Sequence, residues 1–227
     1  MADGWLETEP MTDWSFHETK AVKTETLTVQ EVADYLDAAG QLGYGTMFTL
    51  AIHYGLRQRE LIALKWSDVD MEKPSLTVYA GRVVKEGKLV VYAGKVRELR
   101  LSPEDADLLA QEHAKHPSSE ALFIHPGTLR PYSPNMVRLR HNQILERAEI
   151  PHIRFEDLRH TCAILALQNG MTAAELTHLQ GRCRPTLTRQ SYAEYMNQAK
   201  KKQVQKTVSE QQCFQEEQQQ AAQTMDT

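Results

Sequence analysis

The stretch Gly55-Leu-Arg-Gln-Arg-Glu-Leu-Ile-Ala-Leu-Lys-Trp-Ser-Asp-Val-Asp70 reads as a turn, a short amphipathic helix and an exit. Leu61, Leu64 and the ring of Trp66 supply its core side. Arg57 and Glu60 stand three apart, a spacing at which helical side chains meet. Alone, such a pair is most often a surface ion pair worth about 0.2–0.5 kcal/mol. What gives it weight is the chain on either side.

Upstream, Thr28-Val-Gln-Glu31 is a capping box, in which hydroxyl and carboxylate each satisfy an orphan backbone N–H, so a helix begins there. Val32, Leu36 and Ala39 continue its apolar face; Gly40, Gly43 and Gly45 then interrupt it before a second helix from Thr46 to Tyr54. Downstream, residues 75–101 turn to Val, Leu, Tyr and Thr around a Lys85-Glu-Gly-Lys88 turn, the one region with strand character. Ser102-Pro-Glu-Asp105 and Ser133-Pro-Asn135 each place an N-cap and a first-turn proline at a helix start. Glu156 to Asn169 is helical and stops at Gly170, and Thr172-Ala-Ala-Glu175 caps the next helix. A further helix carries Tyr192 and Tyr195. The expected class is mainly α with a small antiparallel sheet, α+β, over residues 26–202. An acidic irregular arm, 1–25, precedes it, and a Gln-rich tail or helix, 203–227, follows.

Composition bounds the function. With 41% apolar and 25% charged residues the chain is of ordinary globular type, and no apolar run reaches the roughly 20 residues of a membrane helix. The N-terminus has no secretory h-region, so the expected location is cytoplasmic and nucleoid-associated, or a host cell if a virus or mobile element encodes the chain. Three cysteines, Cys162, Cys183 and Cys213, lack C-x-x-C spacing and suggest neither a disulfide framework nor a zinc site. The net charge of −4 is unevenly spread. Residues 1–37 carry −7 and residues 207–227 carry −4, leaving 24 Lys and Arg against 17 Asp and Glu between them. A middle of +7 is a possible nucleic-acid face, although solvated surface charge is the commoner reading of such an excess.

Two further clusters follow the first. Phe155-Glu-Asp-Leu-Arg-His-Thr161 places Arg159 and His160 early in a mostly apolar helix. In Leu179-Gln-Gly-Arg182 and the run beyond it, Tyr192 lies ten residues after Arg182. By itself the arginine could pair with a nearby acid, and the tyrosine could be half-buried core. In this order the three clusters resemble the signature of the tyrosine recombinase family, the phage integrase type, from about Thr26 to Lys202. The first box of that family reads Gly-Leu/Met-Arg, two residues, Glu, then an apolar segment ending in Trp and an Asp-Ile/Val-Asp exit. The second is His-x-Leu-Arg-His-Thr. The third is Leu-Gly-His, followed nine or ten residues later by tyrosine.

The resemblance implies the tyrosine-recombinase catalytic-domain fold and site-specific cleavage and rejoining of double-stranded DNA through a 3′-phosphotyrosine. Tyr192 would attack, and Arg57 and Arg159 would clamp the phosphate with fixed charge and a fork of donors. Glu60 would hold Arg57 in place. A lysine of the sheet region would protonate the departing 5′ oxygen; Lys95 is the choice, with Lys88 and Lys85 as alternatives, and each is by default a turn or edge charge. The chemistry needs no metal or cofactor. Glu156 and Arg182 stand where the family carries histidine, or His/Trp in the second case, and could compensate each other as an ion pair. His160 reads as the usual residue after Arg159 and His178 as a surface residue. Asn135, Arg138 and Arg140, on the helix over 133–147, are candidates for contacting DNA.

An arm as short as 1–25 cannot form the separate domain with which relatives close around the duplex. Either the catalytic domain works alone, or another chain such as an accessory DNA-binding protein supplies the grip, and a tetramer on paired sites follows from the same likeness. Two rival readings remain within the family, a degenerate member that binds DNA without cutting and a type IB topoisomerase-like relaxase. A third lies outside it, a helical protein–protein interaction module.

Overall fold

The second helix is apolar on every side, and the rest of the chain is arranged to cover it. In the computed structural model, which describes residues 25–85, 88–91, 94–181 and 192–193, α1 (Val29–Gln41) and α2 (Gly45–His53) form a hairpin. Thr46 through Ile52 are all buried, as expected of a helix without a polar face. Next come α3 (Gln58–Ile62), a 3-10 turn (Trp66–Asp68) and the strands β1 (Val69–Asp70), β2 (Ser75–Tyr79), β3 (Arg82–Lys85), β4 (Lys88–Val91) and β5 (Val96–Arg100). Four helices complete the described chain: α4 (Pro103–Lys115), α5 (Pro134–Arg147), α6 (Phe155–Gln168) and α7 (Ala173–Gln180). α1, α4 and α6 pack around α2.

The capping expectations hold at four helix starts. Thr28, Ser102, Ser133 and Thr172 each accept an N–H from the first turn, and the boxes of Thr28 with Glu31 and of Thr172 with Glu175 are complete. Glycine was misread between the first two helices. Gly40 does not stop α1, which runs to Gln41; the reversal is made at Gly43, whose φ of 80° lies in the left-handed region. α2 starts at Gly45, not Thr46, and ends at His53. A Cβ on Gly45 would lie 3.3 Å from the Gly40 Cα, so a side chain here would wedge the hairpin apart. α6 starts one residue early, at Phe155, and Gly170, with φ 90°, takes the chain away after Asn169.

The strand region divides in two. β1, β2 and β5 form an antiparallel sheet with Leu76 opposite Leu99, while β3 and β4 pair separately as a hairpin with Lys85 opposite Lys88. The break follows β2, where Arg82 turns inward. Its guanidinium donates to the Asp68 carboxylate and to the Ala63 carbonyl, and it lies 4.2 Å over the Tyr79 ring. β3 is thereby tied to the end of α3 and not to the sheet edge.

Two polar clusters fix the helices around the core. Tyr54 Oη donates to Asp105 Oδ2 at 2.6 Å and His53 Nδ1 lies 3.0 Å from Asp105 Oδ1, holding α4 to the end of α2. His141, 1% exposed, spans α1 and the segment before α6. Its Nε2 is 2.9 Å from the Ile153 carbonyl and its Nδ1 is 2.7 Å from Tyr35 Oη. A carbonyl only accepts, so Nε2 carries the proton and Nδ1 accepts from the tyrosine. Burial holds the His141 pKa below its ordinary value, against the opposing effect of the Ile153 bond. The unfolded chain binds that proton near pH 6.5 and the folded chain resists it, so this contribution is whole above about pH 6.5 and is lost as pH falls below it. The unfolding free energy from urea titrations should fall between about pH 7.5 and 5.5, with a ceiling of about 1.4 kcal/mol per pH unit for one proton. His141→Gln should flatten that slope, and an unaltered slope would show the titrating group to be elsewhere.

Candidate active site

The backbone N–H of Arg57, at the start of α3, donates to Glu60 Oε2 at 2.9 Å, and its guanidinium reaches Oε1 at 3.0 Å. The pair is no surface ornament. Glu60 is 1% exposed, and a second arginine, Arg97 of β5, donates to both of its oxygens at 3.1 and 2.9 Å. Burial works to raise the Glu60 pKa, but the hydrogen bonds and charge of Arg97, followed by the Arg57 backbone N–H and charge, hold it down at about 2. One carboxylate thus fixes two arginines, one buried and one, Arg57, with its side chain 34% exposed.

Arg97 also joins the strand to α7, its Nε donating to the Leu179 carbonyl at 3.0 Å. Arg159 of α6 takes the neighbouring carbonyl, that of Gln180, and reaches Gly55 O at 2.5 Å. Gln180 Nε2 returns a bond to Arg159 O at 3.0 Å. Two guanidinium groups therefore sit on the last carbonyls of α7, where the helix dipole favours positive charge. Gly181 then leaves the helix with φ 60°, and a Cβ there would lie 2.8 Å from an Arg97 nitrogen. Cys162 packs beside Gly55 and Arg159; burial pushes its thiol up to about 12 against the arginine's charge, which makes it inert packing.

Leu56, Arg57, Phe155, Glu156, Arg159 and His160 line a cavity of about 420 Å³ between the α3 start and the first turn of α6. Tyr192 contacts one of these lining residues, with its Oη 2.8 Å from His160 Nδ1 and ring centroids 5.9 Å apart. The tyrosine is 3% exposed and packs in a small cluster with Ala163, Ile164, Leu167 and Leu176. Arg57, Glu156 and Arg159 are therefore brought together around one space, and Tyr192 is tied to its wall by way of His160. Lys95 is exposed in the segment entering β5, its carbonyl accepting from Ala80 N–H at 2.9 Å, and is not among the described residues lining the cavity. Lys88 lines a different hollow with Lys65 and Lys115, and Lys85 is exposed opposite it. Arg182 lies outside the described residues, as does Tyr195, so the ion pair with Glu156 has no geometry here.

The three candidates on α5 do not share a face. Arg138 is exposed and donates to the Asn135 side chain one turn back. Arg140 lies on the other side of the helix, 5.2 Å over the Tyr44 ring, with a bond to Gln143 at 2.8 Å. Among the described residues no group of three or more His, Cys, Asp or Glu could hold a metal ion, and no helix is long and apolar enough to cross a membrane.

Two functional candidates escaped the sequence. Arg97 had a signal, because the alternation Arg97, Leu99, Leu101 puts an arginine on the apolar face of a strand. His160 was passed over as a mere companion of Arg159, whereas its ring is bonded to Tyr192. His178 is exposed, as expected.

A family model described as the phage integrase family matches residues 24–203. A curated protein, the tyrosine recombinase XerC-like protein of Caldanaerobacter subterraneus subsp. tengcongensis, is 25% identical over 197 residues, 74% of this chain and 50% of the relative. This chain thus spans half the length of that relative. Among solved structures, XerA recombinase superposes with a TM-score of 0.66 at 20% identity, covering 81% of this chain and 65% of that one. The Tn1549 transposon integrase in complex with circular intermediate DNA gives 0.65 at 18% identity, with 76% and 63% covered. The catalytic domain of bacteriophage HP1 integrase gives 0.55 at 19%, with 76% and 89% covered. At such identities the superpositions establish the fold, mostly helical with small antiparallel sheets. With the family model matched over most of its length, the chain belongs to the phage integrase family and carries the catalytic domain of a tyrosine recombinase.

Proposed function

We propose that this chain is a site-specific recombinase, breaking double-stranded DNA by attack of Tyr192 and holding it as a 3′-phosphotyrosine. What supports the reading is that Arg57, Arg159 and His160 line one cavity and that His160 is in turn hydrogen-bonded to Tyr192, so that three distant parts of the sequence meet. Without a metal, phosphodiester cleavage needs a nucleophile, fixed positive charge on the non-bridging oxygens and an acid for the leaving group. Tyr192 supplies the first and the two arginines the second. Lys95, two residues before Arg97, is proposed for the third. The unit performing this chemistry is residues 26–202, with the arm 1–25 and the tail 203–227 outside it. The +7 middle of the chain and the exposed Asn135 and Arg138 would meet the phosphates, with Arg140 turned elsewhere. Assembly as a tetramer on paired sites, with a further chain closing the clamp, belongs to the same proposal.

Covalent capture tests it. The full chain is incubated with a pool of nicked duplexes carrying about 30 randomised base pairs, in which cleavage beside the nick releases a short fragment and blocks rejoining. Adducts that survive denaturing electrophoresis are sequenced for the target, and the nucleotide-bearing peptide is mapped by mass spectrometry. An adduct on Tyr192 is expected. An adduct on another residue, or none, overturns the reading. Glu156 gives one alternative its support, because an exposed carboxylate on the cavity wall would repel the transition-state phosphate. If duplex is bound without an adduct, the degenerate DNA-binding member becomes the better description. Binding itself should be weak and fall at least about tenfold between low and moderate salt.

A further inference from the structure

We infer that His160 is the proton acceptor for Tyr192; this rests on the reading of Tyr192 as nucleophile. Glu156 and His160 are four apart in α6 and so lie one above the other. Both line the cavity, and the imidazole Nδ1 is 2.8 Å from the phenol oxygen, within reach for direct proton transfer. A buried tyrosine, 3% exposed, gains little from bulk water as a base, so a neighbouring group must take its proton.

The step balances as follows. Tyr192 Oη forms a bond to phosphorus while the bond from phosphorus to the 5′ oxygen breaks. The phenolic proton passes to neutral His160 at Nδ1, and the 5′ oxygen takes a proton from the acid. In rejoining, the 5′ hydroxyl attacks and returns its proton to the conjugate base of that acid, and the departing phenolate recovers its proton from the imidazolium. The imidazolium has local support. Asp157, one turn back, is buried and ionised: burial works to raise its pKa, but the Arg154 bonds, the Arg154 charge and, last, His160 hold it below its ordinary value. An imidazolium beside the cavity also adds to the positive charge of Arg57 and Arg159 facing the phosphate, and offsets the carboxylate of Glu156.

The test uses the duplex enriched by covalent capture and compares single-turnover cleavage by wild type, His160→Ala, His160→Asn and Tyr192→Phe, with duplex affinity and thermal midpoint measured for each. His160→Ala is expected to cleave about 100-fold more slowly with affinity unchanged within about twofold. His160→Asn, which can hydrogen-bond but takes no proton near neutrality, should be as slow. Placing 2,3,5-trifluorotyrosine, a much more acidic phenol, at position 192 should recover most of the loss. Cleavage by His160→Ala within about threefold of wild type overturns the inference while leaving Tyr192 in place. Restoration by His160→Asn also overturns it, because the ring would then only position the phenol. No adduct from wild type, or one that survives Tyr192→Phe, overturns the parent reading and this inference with it. If His160→Ala does not fold, the asparagine and fluorotyrosine variants still decide.

Discussion

Replacing Glu60 by alanine is expected to lower the stability of the fold by about 3–5 kcal/mol, the cost of leaving one partner of a buried ion pair uncompensated. Arg97 would keep only the Leu179 carbonyl among the partners described here, and its side chain is 5% exposed, so water cannot readily replace the lost carboxylate. Glu60→Gln keeps the shape and one acceptor and should cost less, while Arg97→Met, which removes the other charge, should leave Glu60 with Arg57 alone. Urea midpoints at constant m-value measure all three. A loss under about 1 kcal/mol for Glu60→Ala would mean that Arg97 swings out to solvent. The same carboxylate makes the fold acid-sensitive. Its folded pKa of about 2 lies below its ordinary 4.5, so its contribution is complete above about pH 4.5 and is lost as pH falls toward 2, and the wild type should lose stability in that window more steeply than Glu60→Gln.

That buried carboxylate also shows what a sequence does and does not disclose. Helix starts were legible because a capping box is local: Thr28 and Glu31, or Thr172 and Glu175, need only each other. The family was legible for another reason, since the ordered boxes around Arg57, Arg159 and Tyr192 carry a likeness that no single box would. The value of Glu60 was not legible. From three residues away it looked like half of a surface pair, and only the fold brings Arg97, 37 positions on, to its other side. Gly40 misled in the opposite direction: a residue that usually breaks helices lies inside α1, where an added Cβ would meet nothing, and the close approach in the hairpin is made at Gly45. Asn135, Arg138 and Arg140 were grouped by proximity in sequence, but a helix advances about 100° per residue and turns Arg140 away from the other two. Arg82, whose inward turn divides the strands into two sheets, gave no local sign of doing so.

Arg159→Lys should slow single-turnover cleavage of the captured duplex by about 1000-fold, although the charge is kept. The guanidinium already spends two of its donors on the protein, one on Gly55 O and one on Gln180 O, which locks its plane between the end of α2 and the end of α7. A plane fixed in this way would present the guanidinium to the phosphate without reorganising in the transition state. An ammonium on a flexible stem can satisfy one carbonyl or approach the phosphate, but it cannot hold both carbonyls and present a fork. Duplex affinity should change far less, under about tenfold, because ground-state attraction to the phosphate needs only charge. Arg159→Ala separates this from a merely structural role. Losing the two carbonyl bonds lowers the thermal midpoint, and that loss should persist when guanidinium ion is added at low concentration, whereas part of the cleavage rate should return. If lysine supports cleavage within about tenfold of wild type, the geometry of Arg159 is serving the packing of α7 and not the phosphate, and Arg57 would remain as the clamp.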